Sequence, residues 1–153
     1  MNPKKNLVAI FAAVAALFLI APALRSAQVE EPLKAALELH ESGKIKEALV
    51  EYDKVIKAHP KLAEAYFNRG NAYFDLGQDK QAINDYSQAL RLNPKDAEAY
   101  YNRANAYRRL KQDGPALNDY SASIKLNPED ARSLTNRAGI HFDAKRYDSA
   151  IKD

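Results

Sequence analysis

The sequence predicts an all-α fold, a solenoid of antiparallel helix pairs preceded by an N-terminal apolar helix. Three observations predict it. Pro60, Pro94 and Pro128 recur at one constant interval, of a length that belongs to a repeating unit rather than to a whole domain. Between these prolines the apolar residues recur at helical spacing, and the strict alternation that a half-buried strand needs is missing. Ahead of the repeats stands an uninterrupted apolar run near Met1.

That run extends from Leu7 to Ala21 and follows directly on a stretch carrying Lys4 and Lys5. A positive stretch followed by an apolar one is the layout of an export signal. Pro22 ends any helix here, and Ala21 and Ala23 put small residues where a signal peptidase reads, so cleavage after Ala23 is one reading. Extended to Leu24, the run of about 18 residues reaches the lower limit for a helix that crosses a bilayer uncleaved, which is the other reading. Both assign residues 1–28 to a signal peptide or an anchor. Both keep the two lysines on the cytoplasmic side and send the rest of the chain across the membrane. The expected location is the bacterial periplasm, or the inner membrane facing it, with residues 7–24 as the membrane contact if they are retained.

Beyond residue 28 the interval of the prolines also links Ala48, Ala82, Ala116 and Ala150. It links Tyr52, Tyr86 and Tyr120 as well, and Tyr66 with Tyr100. The frames overlay without gaps, most completely in the segments Ala63 to Tyr73 and Ala97 to Tyr107. Ala65, Tyr66, Ala72, Tyr73 and Leu76 share one side of a first helix, and Ile83, Tyr86, Ala89, Leu90 and Leu92 share one side of its partner. Small residues such as Gly70 and Ala82 let two helix axes approach, with Tyr66 and Tyr86 expected to fill the space beside that contact. Gly43 and Gly77 mark turns inside the hairpins, while Asn93-Pro94 and Asn127-Pro128 close the second helices. Asp96 and Asp130 then place an acid at the start of the next helix, where its dipole favours one.

These columns resemble the tetratricopeptide repeat family, whose unit, equal in length to the interval seen here, is a pair of antiparallel helices. The family has a small residue in the first helix, here Gly70, Ala104 and Ala138; an Ala in the second, here Ala82, Ala116 and Ala150; and a Pro after it, here Pro94 and Pro128. The resemblance implies a right-handed superhelical solenoid with repeats at about 29–62, 63–96, 97–130 and an incomplete 131–153. The first copy is the most divergent, with Pro32 where later copies have Tyr66, Tyr100 and Leu134. The fourth stops short of its full length, in its second helix. The chain therefore reads as a piece of a longer protein, in which Asp148 to Asp153 frays and Leu134, Ile140 and Phe142 are poorly covered.

Composition removes several functional classes. The formal charge of +3 invites a nucleic-acid reading, yet Lys4, Lys5 and Arg25 supply all of it, and basic and acidic residues balance after residue 28. No phosphate-binding footprint remains, so no nucleic-acid partner is expected. With no Cys there is no disulfide, thiolate metal site or thiol nucleophile. His40, His59 and His141 are scattered over different repeats without a second ligand at metal spacing. Asp85, Asp119 and Asp153 recur in register, as do Ser87 and Ser121, but residues one repeat apart sit on successive hairpins and do not converge. With no glycine-rich phosphate loop and no supported Ser-His-Asp set, neither an enzyme, a cofactor nor a small-molecule substrate is expected.

The resemblance implies a partner protein or peptide, held on a concave wall built from the first helix of each pair. The candidate residues on that wall are Phe67, Asn68, Asn71 and Phe74, then Tyr101, Asn102, Asn105 and Arg108, then Arg132, Thr135 and Asn136. Asn side chains donate and accept, which suits a peptide backbone, and the aromatics offer apolar contact. The alternative is that Asn68, Asn102 and Asn136 merely satisfy neighbouring groups of the repeat. The family's chaperone-tail clamp matches only at Asn71, Asn102 and, with Arg for Lys, Arg132; Phe67 and Asn136 break it. The expected function is an interaction scaffold, exported or anchored. The alternative is a spacer or assembly segment of a larger envelope protein.

Overall fold

The computed structural model describes residues 30–153, and the signal or anchor assigned to residues 1–28 lies outside them. The described residues form helices and no strands. In order these are α1 (30–41), α2 (Ile45–Ala58), α3 (Ala63–Asp75), α4 (Asp79–Leu92), α5 (Ala97–Arg109), α6 (Asp113–Leu126), α7 (Ala131–Asp143) and α8 (Tyr147–Lys152). From α2 onward each helix packs on the next, and α3 also reaches past α4 to touch α5. This is the packing of a solenoid, in which neighbours supply the core that a lone hairpin cannot build.

The hairpin turns use one backbone device. Gly43, Gly77, Lys111 and Lys145 all have positive φ, at 79°, 73°, 58° and 57°. In each turn this residue donates its N–H back into the preceding helix, as Gly77 does to the Phe74 carbonyl at 2.9 Å and Lys111 to that of Arg108 at 2.8 Å. The following N–H reaches one residue further back, Gln78 to Tyr73 and Gln112 to Tyr107, both at 2.9 Å. A left-handed residue just past the helix end satisfies carbonyls that would otherwise lack donors. Glycine does this without strain, whereas lysine carries a Cβ penalty.

At the opposite ends, Asp96 and Asp130 cap α5 and α7 through their side chains, accepting from the N–H groups of Ala99 at 3.0 Å and Arg132 at 3.3 Å. Leu62 stands at the equivalent place before α3 and provides no side-chain cap; it packs on the core instead. The expected acids are therefore caps as well as dipole partners.

Between the helices, Ala48, Ala82 and Ala116 are wholly buried and so are Tyr52, Tyr86 and Tyr120. The approach of α3 to α4 is so close that a Cβ at Gly70 would lie 2.8 Å from the Tyr86 ring. Tyr86 thus fills the space expected of it. Tyr66 stays half-buried, its hydroxyl donating to the Pro60 carbonyl at 3.3 Å. Leu92, assigned to the apolar side of its helix, is exposed at the C-terminal end of α4.

The last hairpin corrects one expectation. Ile140 is buried, with 2 % exposure, because it points back onto Ala104, Ala116 and Tyr120 of the preceding pair. Asp148 to Asp153 form α8 and its end, and Asp153 is held by the Arg137 guanidinium, whose Nε donates to Oδ2 at 2.8 Å. Phe142 is exposed as expected and Leu134 is half-buried. Phe142, Tyr147 and Ile151 border an apolar recess of about 470 Å³ with Ala138, Gly139 and Ala150. By register this is the side on which a further hairpin would stack.

Candidate functional site

The first helices of successive pairs are tied side chain to side chain, which makes α3, α5 and α7 one continuous wall. Asn102 on α5 donates from Nδ2 to Asn71 Oδ1 on α3 at 3.1 Å, and Asn136 on α7 donates to Asn105 Oδ1 on α5 at 3.1 Å. Each accepting amide oxygen receives a second bond from the buried tyrosine of its own hairpin, Tyr86 to Asn71 at 2.8 Å and Tyr120 to Asn105 at 2.6 Å. The Oδ1 atoms of Asn71 and Asn105 are therefore saturated, and their orientation is set from two sides. What these side chains still offer is the amide N–H2 group. Asn136 also approaches the Tyr101 hydroxyl, at 3.4 Å.

The aromatics of the wall are half core. Phe67 packs against Tyr86 and Tyr101 against Tyr120, each with ring centroids 6.0 Å apart. Asn68 is 9 % exposed, the most buried of the candidate amides, while Thr135 is exposed. Arg132 is engaged within the protein: its guanidinium grips Glu98 at 2.6 and 3.1 Å and lies 4.6 Å from the Tyr101 ring centroid. The one cation that matched the chaperone-tail clamp thus already holds a carboxylate. Phe74, Asn105, Arg108 and Asn136, with Arg109, surround an open recess of about 410 Å³.

The first hairpin departs from this pattern. Leu37 occupies the column of Asn71 and Asn105, so among the described residues the Tyr52 hydroxyl has no acceptor and is buried without a hydrogen bond. Burial, together with the charges of Glu41 and Glu64, raises its pKa to about 12. The column of Asn71 and Asn105 thus supports the tyrosine column, and Asn102 and Asn136 bond to that column.

On the other side of α3, α5 and α7 runs a ladder of arginines not recognised in the sequence as a set. Arg69, Arg103 and Arg137 stand one repeat apart, and each pairs with the aspartate 16 residues later, on the second helix of its own hairpin. Arg69 holds Asp85 with two bonds of 2.7 Å and Arg103 holds Asp119 at 2.7 and 2.8 Å. The remaining Nη1 of each reaches back to the preceding hairpin, at Asp53, Ser87 and Ser121 respectively. The recurrent aspartates and serines therefore bind arginines that staple hairpins together. Burial pushes the Asp85 carboxyl upward, and the bonds from Arg69 oppose that shift. The signal that would have revealed the ladder is an arginine column matching an aspartate column at a fixed offset.

The histidines differ in their fates. His40 Nε2 lies 2.8 Å from Asp75 Oδ2 across the joint between the first two hairpins. The buried Nδ1 of His141 has no hydrogen-bond partner among the described residues. Among the described residues no group of three or more His, Cys, Asp or Glu side chains is placed to hold a metal ion. No described helix is long and apolar enough to cross a membrane, and residues 7–24 are not among those described.

A helical solenoid of equal repeating hairpins, with one wall of tied first helices, defines an interaction-repeat protein. Models of the tetratricopeptide repeat match at residues 36–77, 70–111, 97–130 and 116–153. The chain belongs to the tetratricopeptide repeat family. No curated protein matches its sequence. Among solved structures, the crystal structure of MamA is similar at a TM-score of 0.79 and 23 % identity, covering 99 % of this chain and 90 % of that one. The first TPR of Spaghetti (RPAP3), bound to the HSP90 peptide SRMEEVD, gives a TM-score of 0.74 at 26 % identity over 76 % of this chain and 93 % of that one. YrrB, described as a TPR protein with an unusual peptide-binding site, gives 0.73 at 23 % identity over 79 % and 62 %.

Proposed function

We propose that the chain is a non-catalytic interaction scaffold that holds an extended peptide, or an extended segment of a partner protein, along the wall of α3, α5 and α7. The observation that carries this reading is the state of Asn71 and Asn105. Their oxygens are saturated from within, and their amide N–H2 groups stand in a row one repeat apart, a spacing suited to carbonyls of an extended chain. Phe67 and Tyr101 supply aromatic edges between them. That two proteins of this fold are described as peptide-bound or peptide-binding supports the same reading. An HSP90-type tail is not the proposed ligand, since Phe67 and Asn136 break the clamp and Glu98 occupies Arg132. We assign the scaffold to the bacterial periplasm or the periplasmic face of the inner membrane, on the sequence of residues 1–28, with residues 7–24 as an anchor if they are uncleaved.

The test is a crosslinking pull-down with wall variants that leave the core intact. Asn71 and Asn105 are unsuitable, because their loss unpairs a buried tyrosine. Asn102→Ala removes a wall amide, and Thr135→Arg places bulk on an exposed wall position. Loss of partner recovery by both, with unchanged helicity, is expected. Recovery equal to that of the unmodified chain would remove the wall assignment and leave the fold standing. A second reading, that the array is a spacer or assembly segment of a larger envelope protein, draws on the apolar recess at Phe142, Tyr147 and Ile151.

A further inference from the structure

We infer that the apolar recess on the outer face of the last hairpin seats a second copy of this chain, the two copies meeting through α7 and α8 about a two-fold axis. The inference is independent of the peptide wall. Ala138, Gly139 and Phe142 of α7 and Tyr147, Ala150 and Ile151 of α8 enclose about 470 Å³ there, and Asp143 is the only charged residue among those that line it. Phe142 and Tyr147 meet edge to face with ring centroids 5.5 Å apart, which gives the recess a firm aromatic side.

The joints between hairpins show what a face that receives another hairpin looks like, since each described joint is tied by polar pairs. At the first, His40 meets Asp75 at 2.8 Å. At the second, Asn102 donates to Asn71 and Arg109 lies 3.2 Å from Asp79. At the third, Asn136 donates to Asn105 and Arg108 comes to 4.0 Å from Asp143. On the last hairpin the columns of Asn71 and Asn105, of His40 and Arg108, and of Asp79 and Asp113 hold Gly139, Phe142 and Tyr147. Phe74 shares the column of Phe142, but Arg109 covers its ring at 4.3 Å. No amide, imidazole, guanidinium or carboxylate stands in those columns of the last hairpin, and apolar surface replaces them. What seats there has to bring apolar groups of its own.

A second copy brings such groups, and its charges match. Tyr147 and Ile151 lie one helical turn apart on α8, and Asp148 and Lys152 do the same on the neighbouring ridge. Two α8 helices turned antiparallel about a two-fold axis set Tyr147 against Ile151 of the second copy, and Asp148 against Lys152 of the second copy, each twice over. An isologous contact needs this self-matching. Asp148 and Lys152 are exposed, and the ion pairs among the described residues use neither of them. Phe142, Tyr147 and Ile151 are 62 %, 51 % and 82 % exposed, a patch comparable with the largest on a typical monomer, about 300–600 Å². Two such patches together cover on the order of 1,000 Å², the lower limit for a specific interface, so the dimer is a reversible one in the micromolar range.

Sedimentation velocity of the full chain over a range of concentrations tests the seat, with circular dichroism to confirm that each variant keeps its helicity. The unmodified chain is expected to show a monomer–dimer equilibrium, and Ile151→Glu to abolish it. Asp148→Lys and Lys152→Asp, each alone, set like charges opposite at both contacts and should weaken the dimer by roughly 10- to 100-fold. Mixing these two variants sets Lys against Asp at both contacts again and should restore association. Self-association through residues 7–24 would not respond to charge at positions 148 and 152, so the mixing result separates the two. Three results overturn the inference: a chain that stays monomeric at every concentration, which leaves the recess to a further hairpin or a different protein; a dimer indifferent to Ile151→Glu; or variants that each weaken the dimer and do not restore it when mixed.

Discussion

Replacing Tyr52 with Phe should stabilise the protein, and the same change at Tyr86 or Tyr120 should destabilise it. All three tyrosines occupy one column and are 0–1 % exposed, so the apolar burial removed or added is the same. They differ in the hydroxyl. That of Tyr52 has no partner among the described residues, and an unpaired buried hydroxyl costs about 1–3 kcal/mol. Those of Tyr86 and Tyr120 donate to Asn71 and Asn105, bonds worth about 1 kcal/mol net. The predicted contrast is a gain of about 1 kcal/mol for Tyr52→Phe and a loss of about 1 kcal/mol for each of the others. Because repeat arrays need not unfold in one step, urea denaturation followed by circular dichroism should be joined to hydrogen exchange in α2, α4 and α6. A second variant isolates the cause. Leu37→Asn supplies the missing acceptor by register, and in that background Tyr52→Phe should stop stabilising. Destabilisation by Tyr52→Phe of the size seen for Tyr86→Phe would refute the reasoning.

The remaining predictions concern the turns, the ladder and alkaline pH. Lys111→Gly and Lys145→Gly should each stabilise by about 0.5–1 kcal/mol, since left-handed backbone costs a lysine more than glycine loses in chain entropy; thermal denaturation reads this. Arg103→Met should destabilise by about 3–5 kcal/mol by leaving the buried Asp119 carboxylate unpaired, and Asp119→Leu in the same chain should return much of it; urea titration of the single and double variants tests both. Tyr52 and Tyr120 have pKa values raised by burial to about 12 in the folded chain. Each therefore contributes stability that is complete below about pH 10 and is lost as pH rises toward 12, at about 1.4 kcal/mol for each pH unit between the unfolded and folded values. Denaturation midpoints should fall across that window, with Tyr52→Phe shallowing the fall.

Much of the fold was legible because a repeat prints its architecture four times. The prolines, the alanine column and the tyrosine column each mark a place where packing tolerates little change, and the structure puts them there. Gly43 and Gly77 announced their turns, whereas Lys111 and Lys145 occupy the same left-handed position without a signal, since the hairpin imposes a conformation the residue does not favour. Ile140 was misplaced because its column was judged from the missing outer neighbour, while its side chain points inward to Tyr120. On the wall, the columns of side chains were legible but not their commitments. That Arg132 belongs to Glu98, and that Asn71 and Asn105 serve the tyrosines behind them, are contacts between different helices that spacing alone does not rank. The arginine ladder was visible as separate columns of Arg, Asp and Ser, and only the offset of 16 residues joins them.

The most direct measurement is site-specific photocrosslinking from the two faces of the array. A photoreactive side chain at Thr135, exposed on α7 of the wall, is compared with one at Asn118, exposed on α6. The account predicts that one bound protein or peptide crosslinks from Thr135, is displaced by Asn102→Ala, and does not crosslink from Asn118. Capture of the same partner from Asn118 alone, or equally from both, would contradict it.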